Sequence, residues 1–183
     1  MKYLYDGFHK IEEIFSTVKG KMVKRERLIL PSGVAGLVVN QNNEMALVKQ
    51  FRPIINESVY EVPAGIMDKD KSKEQTLLEE LAEECNIDPK DVLSITPSFV
   101  NEYYMVISSG DSTLSLYHVE VQNQHDKVVE VDDSEVEYVK WFTLDEVEEL
   151  VLNKQIKDPK TLIAYFQFKY VYQSNNKYVH ITK

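Results

Sequence analysis

The stretch from Ser72 to Asn86 constrains this chain more than any other. Ser72 with Gln75 three residues on forms a capping box, and Leu77, Leu78, Leu81 and Cys85 recur at helical spacing as one apolar stripe. Asn86 accepts the left-handed conformation that closes a helix, and Pro89 discourages continuation. A helix here sets Glu80, Glu83 and Glu84 at i, i+3 and i+4 on one face, where like charges repel by about a few tenths of a kcal/mol per pair. Glutamate clusters on helices are usually solvated faces. Beside a glycine-bearing loop the same carboxylates are also a set of hard oxygen ligands for a divalent cation. Spacing alone leaves both readings open.

Strand patterns surround this helix. Lys21 to Leu30 alternates loosely between apolar and charged residues, as in a half-exposed strand, while Gly33 to Val39 is a continuous apolar run predicting a buried one. Asn40 to Asn43 reads as a turn into a second strand, Met45 to Gln50. A shorter strand, Val59 to Val62, leads into Pro63-Ala64-Gly65. Further strands are predicted over Phe99 to Ile107, Thr113 to Val121 and Val136 to Phe142. Thr143 opens a short helix through about Leu152, and Asp158-Pro159 supplies an N-cap and a first-turn proline for a last helix. This order predicts an α+β fold with mixed β-sheets packed between α-helices. Pro and Gly are scattered singly, so one domain over 1–183 is expected, with an N-terminal β arm over approximately residues 1–30.

Charge and cysteine usage narrow the function. A net charge of -9 argues against a broad basic nucleic-acid surface, though not against a local basic pocket. No stretch approaches the roughly 20 apolar residues of a membrane span, and no signal-type run opens the chain. Cys85 stands alone, so no intramolecular disulfide can form; a cytoplasmic protein is expected, with Cys85 as buried filler. His9, His118, His125 and His180 show no ligand spacing, and Trp141 is expected in the core.

From Ala64-Gly65 to Ile87 the sequence resembles a Nudix box: Gly, five residues, Glu, seven residues, then Arg-Glu-aliphatic-any-Glu-Glu-any-Gly-aliphatic. Gly65, Leu81, Ile87 and the glutamates at 80, 83 and 84 fit it; Lys71, Glu79 and Asn86 stand where the family has Glu, Arg and Gly. The first two are an exchange of sign at positions the family typically pairs, so a swapped ion pair is expected. All three departures fall on scaffold positions. Val48 to Pro53, Glu61 to Gly65, Glu137 to Asp145 and Ile156 to Ala164 are similar to ADP-ribose pyrophosphatase-like members, which extends the resemblance over most of the chain.

That resemblance implies a Nudix fold and hydrolysis of a nucleoside diphosphate linked to another moiety, most simply ADP-ribose or a nucleotide sugar. It implies Mg²⁺ (or Mn²⁺) held by Glu80, Glu83, Glu84 and the carbonyl of Ala64, with phosphate contacted by Arg52. It implies a general base in the segment Glu130 to Glu135, with Asp132 aligned. Ser108-Ser109-Gly110 resembles a Ser-Pro-Gly loop, which gives Gly110 a substrate role. In related enzymes N-terminal strands cross to a second subunit, so a homodimer is expected, with Phe15, Arg25 or Arg27 near the substrate. The competing possibility is a non-catalytic Nudix-fold module that binds a nucleotide or a partner.

Overall fold

The computed structural model describes residues 3–7, 9–67, 70–123, 126–131 and 135–175. The predicted apolar run organises it. β4 (Gly33–Asn40) is buried at nearly every position because helices cover both faces of its sheet. Val34 and Val38 pack with Leu77, Leu81 and Cys85 of the helix Lys73–Cys85 and with Trp141. Ala35, Leu37 and Val39 pack on the other side with Val147 of the helix Leu144–Leu152 and with Ala164, Tyr165 and Phe168 of the helix Pro159–Asn175. These helices are α1, α2 and α3. Alternate residues of one strand thus serve two cores.

The sheet has eight strands and is mixed. Its main path runs β10 (Val128–Val129), β11 (Val136–Phe142), β5 (Met45–Arg52), β4, β9 (Thr113–Val121), β8 (Val92–Tyr104). β6 (Glu57–Glu61) pairs with β5, and β7 (Ala64–Ile66) with β4. β4 runs parallel to β9, whereas β4–β5 and β4–β7 are antiparallel. The expected α+β architecture of mixed sheet between helices is therefore the one observed. A separate sheet holds β1 (Tyr3–Asp6), β2 (Lys10–Val18) and β3 (Lys21–Ile29). The β2–β3 hairpin turns at Lys19 and Gly20, both at positive φ (51° and 75°), the backbone that a two-residue hairpin turn requires.

Two boundaries differ from expectation. The strand predicted over Phe99 to Ile107 runs Val92–Tyr104, with a break in register between Pro97 and Glu102. Beyond it, Ser109 and Gly110 both donate backbone N–H to Val106 O at 2.8 Å, closing a turn where strand was expected. The strand before Pro63 ends at Glu61 rather than Val62, because Val62 N–H donates to the Thr161 hydroxyl of α3 instead of a neighbouring strand (2.9 Å).

Candidate active site

The site is assembled where α1 returns to the turn after β6. Both predicted ends of α1 are present: Ser72 and Gln75 form the reciprocal capping box, and Asn86 sits at φ 53°, ψ 35°. With its stripe of Leu77, Leu81 and Cys85 in the core, α1 turns Glu80 and Glu84 onto Ala64-Gly65. Ala64 N–H donates to Glu84 Oε2 at 3.0 Å. A Cβ built on Gly65 would lie 1.8 Å from Glu80 Oε1, so the Glu80 carboxylate occupies the space a side chain at position 65 would take and would have to swing aside for one. Glu84 is buried. Burial pushes its carboxyl up and the Ala64 N–H pulls it down; the Glu80 charge raises it again, Lys160 and Arg52 lower it, and the outcome is about 7. Glu83 is exposed and lines a cavity of about 380 Å³ with Ala82, Asn86, Glu130 and Val131.

Arg52 approaches the same turn from β5. Its Nε and Nη2 grip the two oxygens of Glu61 at 2.8 and 2.9 Å, a bidentate fork. Nη1 is 3.6 Å from Glu135 Oε2. Lys160, at the second position of α3, donates to Glu61 from the other side. Burial alone would raise the Glu61 carboxyl; the Arg52 hydrogen bonds and the Lys160 charge bring it down to about 2. Arg52, Lys160, Ala64, Gly65 and Met105 line a cleft of about 270 Å³.

The structure thus brings Arg52, Ala64, Glu80 and Glu84 together. Gly110 lies elsewhere, in a cavity of about 350 Å³ lined by Arg25, Arg27, Ser108 and Ser109. That loop is tied to β3: Leu28 N–H donates to Ser109 O at 2.8 Å, and Arg27 bridges buried Glu12 and Asp111. Asp132 lies outside the described residues. Of the described ends of its segment, Glu130 lines the cavity beside Glu83 and Glu135 stands beside Arg52. Glu61 and Lys160 were not singled out from sequence. Each carried a signal: Glu61 is an acidic residue inside an apolar strand, and Lys160 is a cation at a helix N-terminus, where the macrodipole opposes it. Cys85 is buried, and burial pushes its thiol up, away from nucleophilic use.

Among the described residues no three His, Cys, Asp or Glu side chains stand together as a ready-made metal cage. The donor set nevertheless fits a hard divalent cation. Magnesium is commonly bound through one or two carboxylates plus substrate phosphates, keeping several waters. Glu80 and Glu84 converge on the Ala64-Gly65 turn, and a desolvated carboxyl such as Glu84 gains most from an adjacent cation.

Residues 30–166 match the model of the NUDIX domain. The chain belongs to the Nudix family. It is 31% identical over 157 residues to the ADP-ribose pyrophosphatase of Bacillus subtilis (strain 168), covering 85% of this chain and 82% of that protein. It is 27% identical over 150 residues to the methanol dehydrogenase activator of Bacillus methanolicus, covering 79% and 76%. A solved structure of an ADP compounds hydrolase superposes with TM-score 0.74 over 97% of this chain and 94% of that one; at 15% identity the likeness is one of fold. The altered Nudix box keeps its brace, because Lys71 Nζ and Glu79 Oε2 form the expected swapped ion pair at 2.6 Å.

Proposed function

We propose that this Nudix hydrolase cleaves the pyrophosphate of a nucleoside diphosphate linked to another moiety, with ADP-ribose or a nucleotide sugar as substrate. The observation that carries this reading is the buried Glu84 carboxyl, set with Glu80 against the Ala64-Gly65 turn, where the Glu80 carboxylate fills the space that the missing side chain of Gly65 leaves. Glu80, Glu84 and the Ala64 carbonyl would hold Mg²⁺ or Mn²⁺, with exposed Glu83 on the next turn completing the set as substrate enters. The cation supplies charge screening at the diphosphate and Lewis acidity toward the attacking water.

Arg52 binds phosphate oxygen from the rim of the cleft while Glu61 fixes its plane. A carboxylate of the segment 130–135 takes the proton of the attacking water; Asp132, Glu130 and Glu135 are the candidates. Gly110 and the arginines Arg25 and Arg27 beside it serve the nucleoside end. The apolar side chains that β2 and β3 leave in solvent, Phe15, Val18 and Met22, support a homodimer, which equilibrium sedimentation tests: a monomer at micromolar concentration contradicts it. A cytoplasmic setting suits a buried free thiol.

The test is nucleoside monophosphate release from a panel of ADP-ribose, UDP-sugars and related dinucleotides with Mg²⁺ or Mn²⁺ at roughly pH 7–9. Turnover of one member that disappears in Glu84→Gln is expected; no turnover of any contradicts the proposal. The relative named a methanol dehydrogenase activator favours a second reading, a non-catalytic Nudix-fold module that binds a nucleotide or a partner protein. Calorimetry separates the two, since tight nucleotide binding without hydrolysis supports the second.

A further inference from the structure

Four charged groups alternate in sign beside the cleft: Arg52, Glu61, Lys160, Asp158. Lys160 is 7% and Glu61 4% exposed. Glu61 takes Arg52 on both oxygens and Lys160 on Oε2. Lys160 Nζ is also 3.0 Å from Asp158 Oδ2. The same Asp158 oxygen accepts Thr161 N–H at 2.9 Å and the Thr161 hydroxyl at 2.6 Å, and Thr161 Oγ1 accepts Val62 N–H. The first turn of α3 is thereby keyed into the strand end and turn that carry Glu61 and Ala64-Gly65.

A lysine is an expensive choice at this place. It works against the macrodipole at the start of α3, and burying an ammonium is costly unless it is well paired. What a cation supplies here is a second counter-charge and donor that, beside Arg52, holds buried Glu61 in place, and an oriented Glu61 is what fixes the fork of Arg52. With Nε and Nη2 committed to Glu61, the freedom left to Arg52 is small, and Arg52 lines the cleft together with Lys160, Ala64 and Gly65.

We propose that Lys160 is a positioning residue for the reaction: acting through Glu61, it holds the Arg52 guanidinium in the attitude that receives the diphosphate. The proposal rests on the hydrolase reading for its kinetic consequences only; its structural core is a statement about Arg52.

Nitrogen-15 NMR of the full chain tests that core without turnover. In the wild-type protein the Arg52 Nε–H resonance, assigned by its loss in Arg52→Lys, is expected to be resolved and protected from exchange. In Lys160→Met it collapses into the exchange-broadened envelope of solvent-exposed arginines, whereas Lys160→Arg retains it. Where Lys160→Met does not fold, Lys160→Gln, which can still donate to Glu61 but carries no charge, gives the same reading. In turnover, Lys160→Met lowers kcat/KM on the order of 100-fold, the cost of misplacing a binding group by about 1 Å, and Lys160→Arg recovers most of it. In an Arg52→Gln background the same substitution has little further effect, since coupled groups are not additive. An Arg52 signal absent from the wild-type spectrum, or one unchanged in Lys160→Met, overturns the proposal, as does full additivity of the two substitutions. A wild-type protein inactive on every diphosphate but with the NMR behaviour described would sink the hydrolase reading and leave the positioning role of Lys160 standing.

Discussion

Replacing Glu84 by Gln should make the metal-free protein more stable at alkaline pH while abolishing its activity. Glu84 is buried, and its folded-state pKa of about 7 lies above the ordinary 4.5. The folded state therefore holds the proton more tightly than the unfolded chain. The stabilising contribution of the protonated carboxyl is complete below 4.5 and is lost as pH rises through about 7. The gap of about 2.5, at 1.36 kcal/mol per pH unit, amounts to about 3 kcal/mol. Glutamine cannot ionise, yet its carbonyl can still accept the Ala64 N–H. The buried amide brings a penalty of its own, about 1–3 kcal/mol if one N–H goes unpaired, but that penalty does not vary with pH. The assay is urea unfolding in EDTA, wild type against Glu84→Gln, at several values between pH 4.5 and 8. The difference between the two should shift in favour of the variant by about 3 kcal/mol across that range. Adding Mg²⁺ at 100 times its Kd should return about 2.7 kcal/mol to the wild type and much less to the variant. Stability profiles that stay parallel from pH 4.5 to 8 would refute the claim that Glu84 is held out of water as a poised ligand.

Other consequences can be checked separately. Lys71→Glu and Glu79→Arg should each cost about 0.2–1 kcal/mol, the range for exposed ion pairs, and the double exchange should recover it; thermal unfolding of the four proteins measures this. Gly65→Ala puts a methyl where the Glu80 carboxylate lies and makes that side chain swing aside, so it should weaken Mn²⁺ binding measured by electron paramagnetic resonance while changing thermal stability little. Among Asp132→Asn, Glu130→Gln and Glu135→Gln, one should lower kcat about 10²–10⁴-fold with little change in KM. Leu81→Ala, emptying a fully buried position under the site, should destabilise by about 2–5 kcal/mol in urea unfolding.

The sequence disclosed most where one local rule decided the outcome. The capping box at Ser72, the left-handed cap at Asn86 and the double-sided burial of Gly33–Asn40 each follow from a short stretch of residue types, and α1 and β4 appear as expected. The ion pair between Lys71 and Glu79 was legible as an exchange of sign at two positions. The short strands β7 and β10 were not foreseen, because two or three residues carry no periodicity; tertiary pairing alone makes them strands. The register break in β8 escaped for the same reason. In the site, the carboxylates of α1 were readable because helical spacing puts them together. The partnership of Glu61 with Lys160 spans 99 residues and exists only once α3 docks against the turn after β6. Gly110 lines its cavity together with Ser108 and Ser109 of the same motif and with Arg25 and Arg27, a meeting of loop and N-terminal hairpin that no local pattern announces.

The central claim is that the acidic face of α1 binds a divalent cation together with a diphosphate. The most direct measurement is an electron paramagnetic resonance titration of Mn²⁺ with and without a non-hydrolysable α,β-methylene analogue of ADP-ribose. Tight binding that strengthens with the analogue, and that Glu80→Gln and Glu84→Gln each weaken, is the expected result. Mn²⁺ that stays free in the presence of saturating analogue, or binds equally well to both variants, would contradict the account.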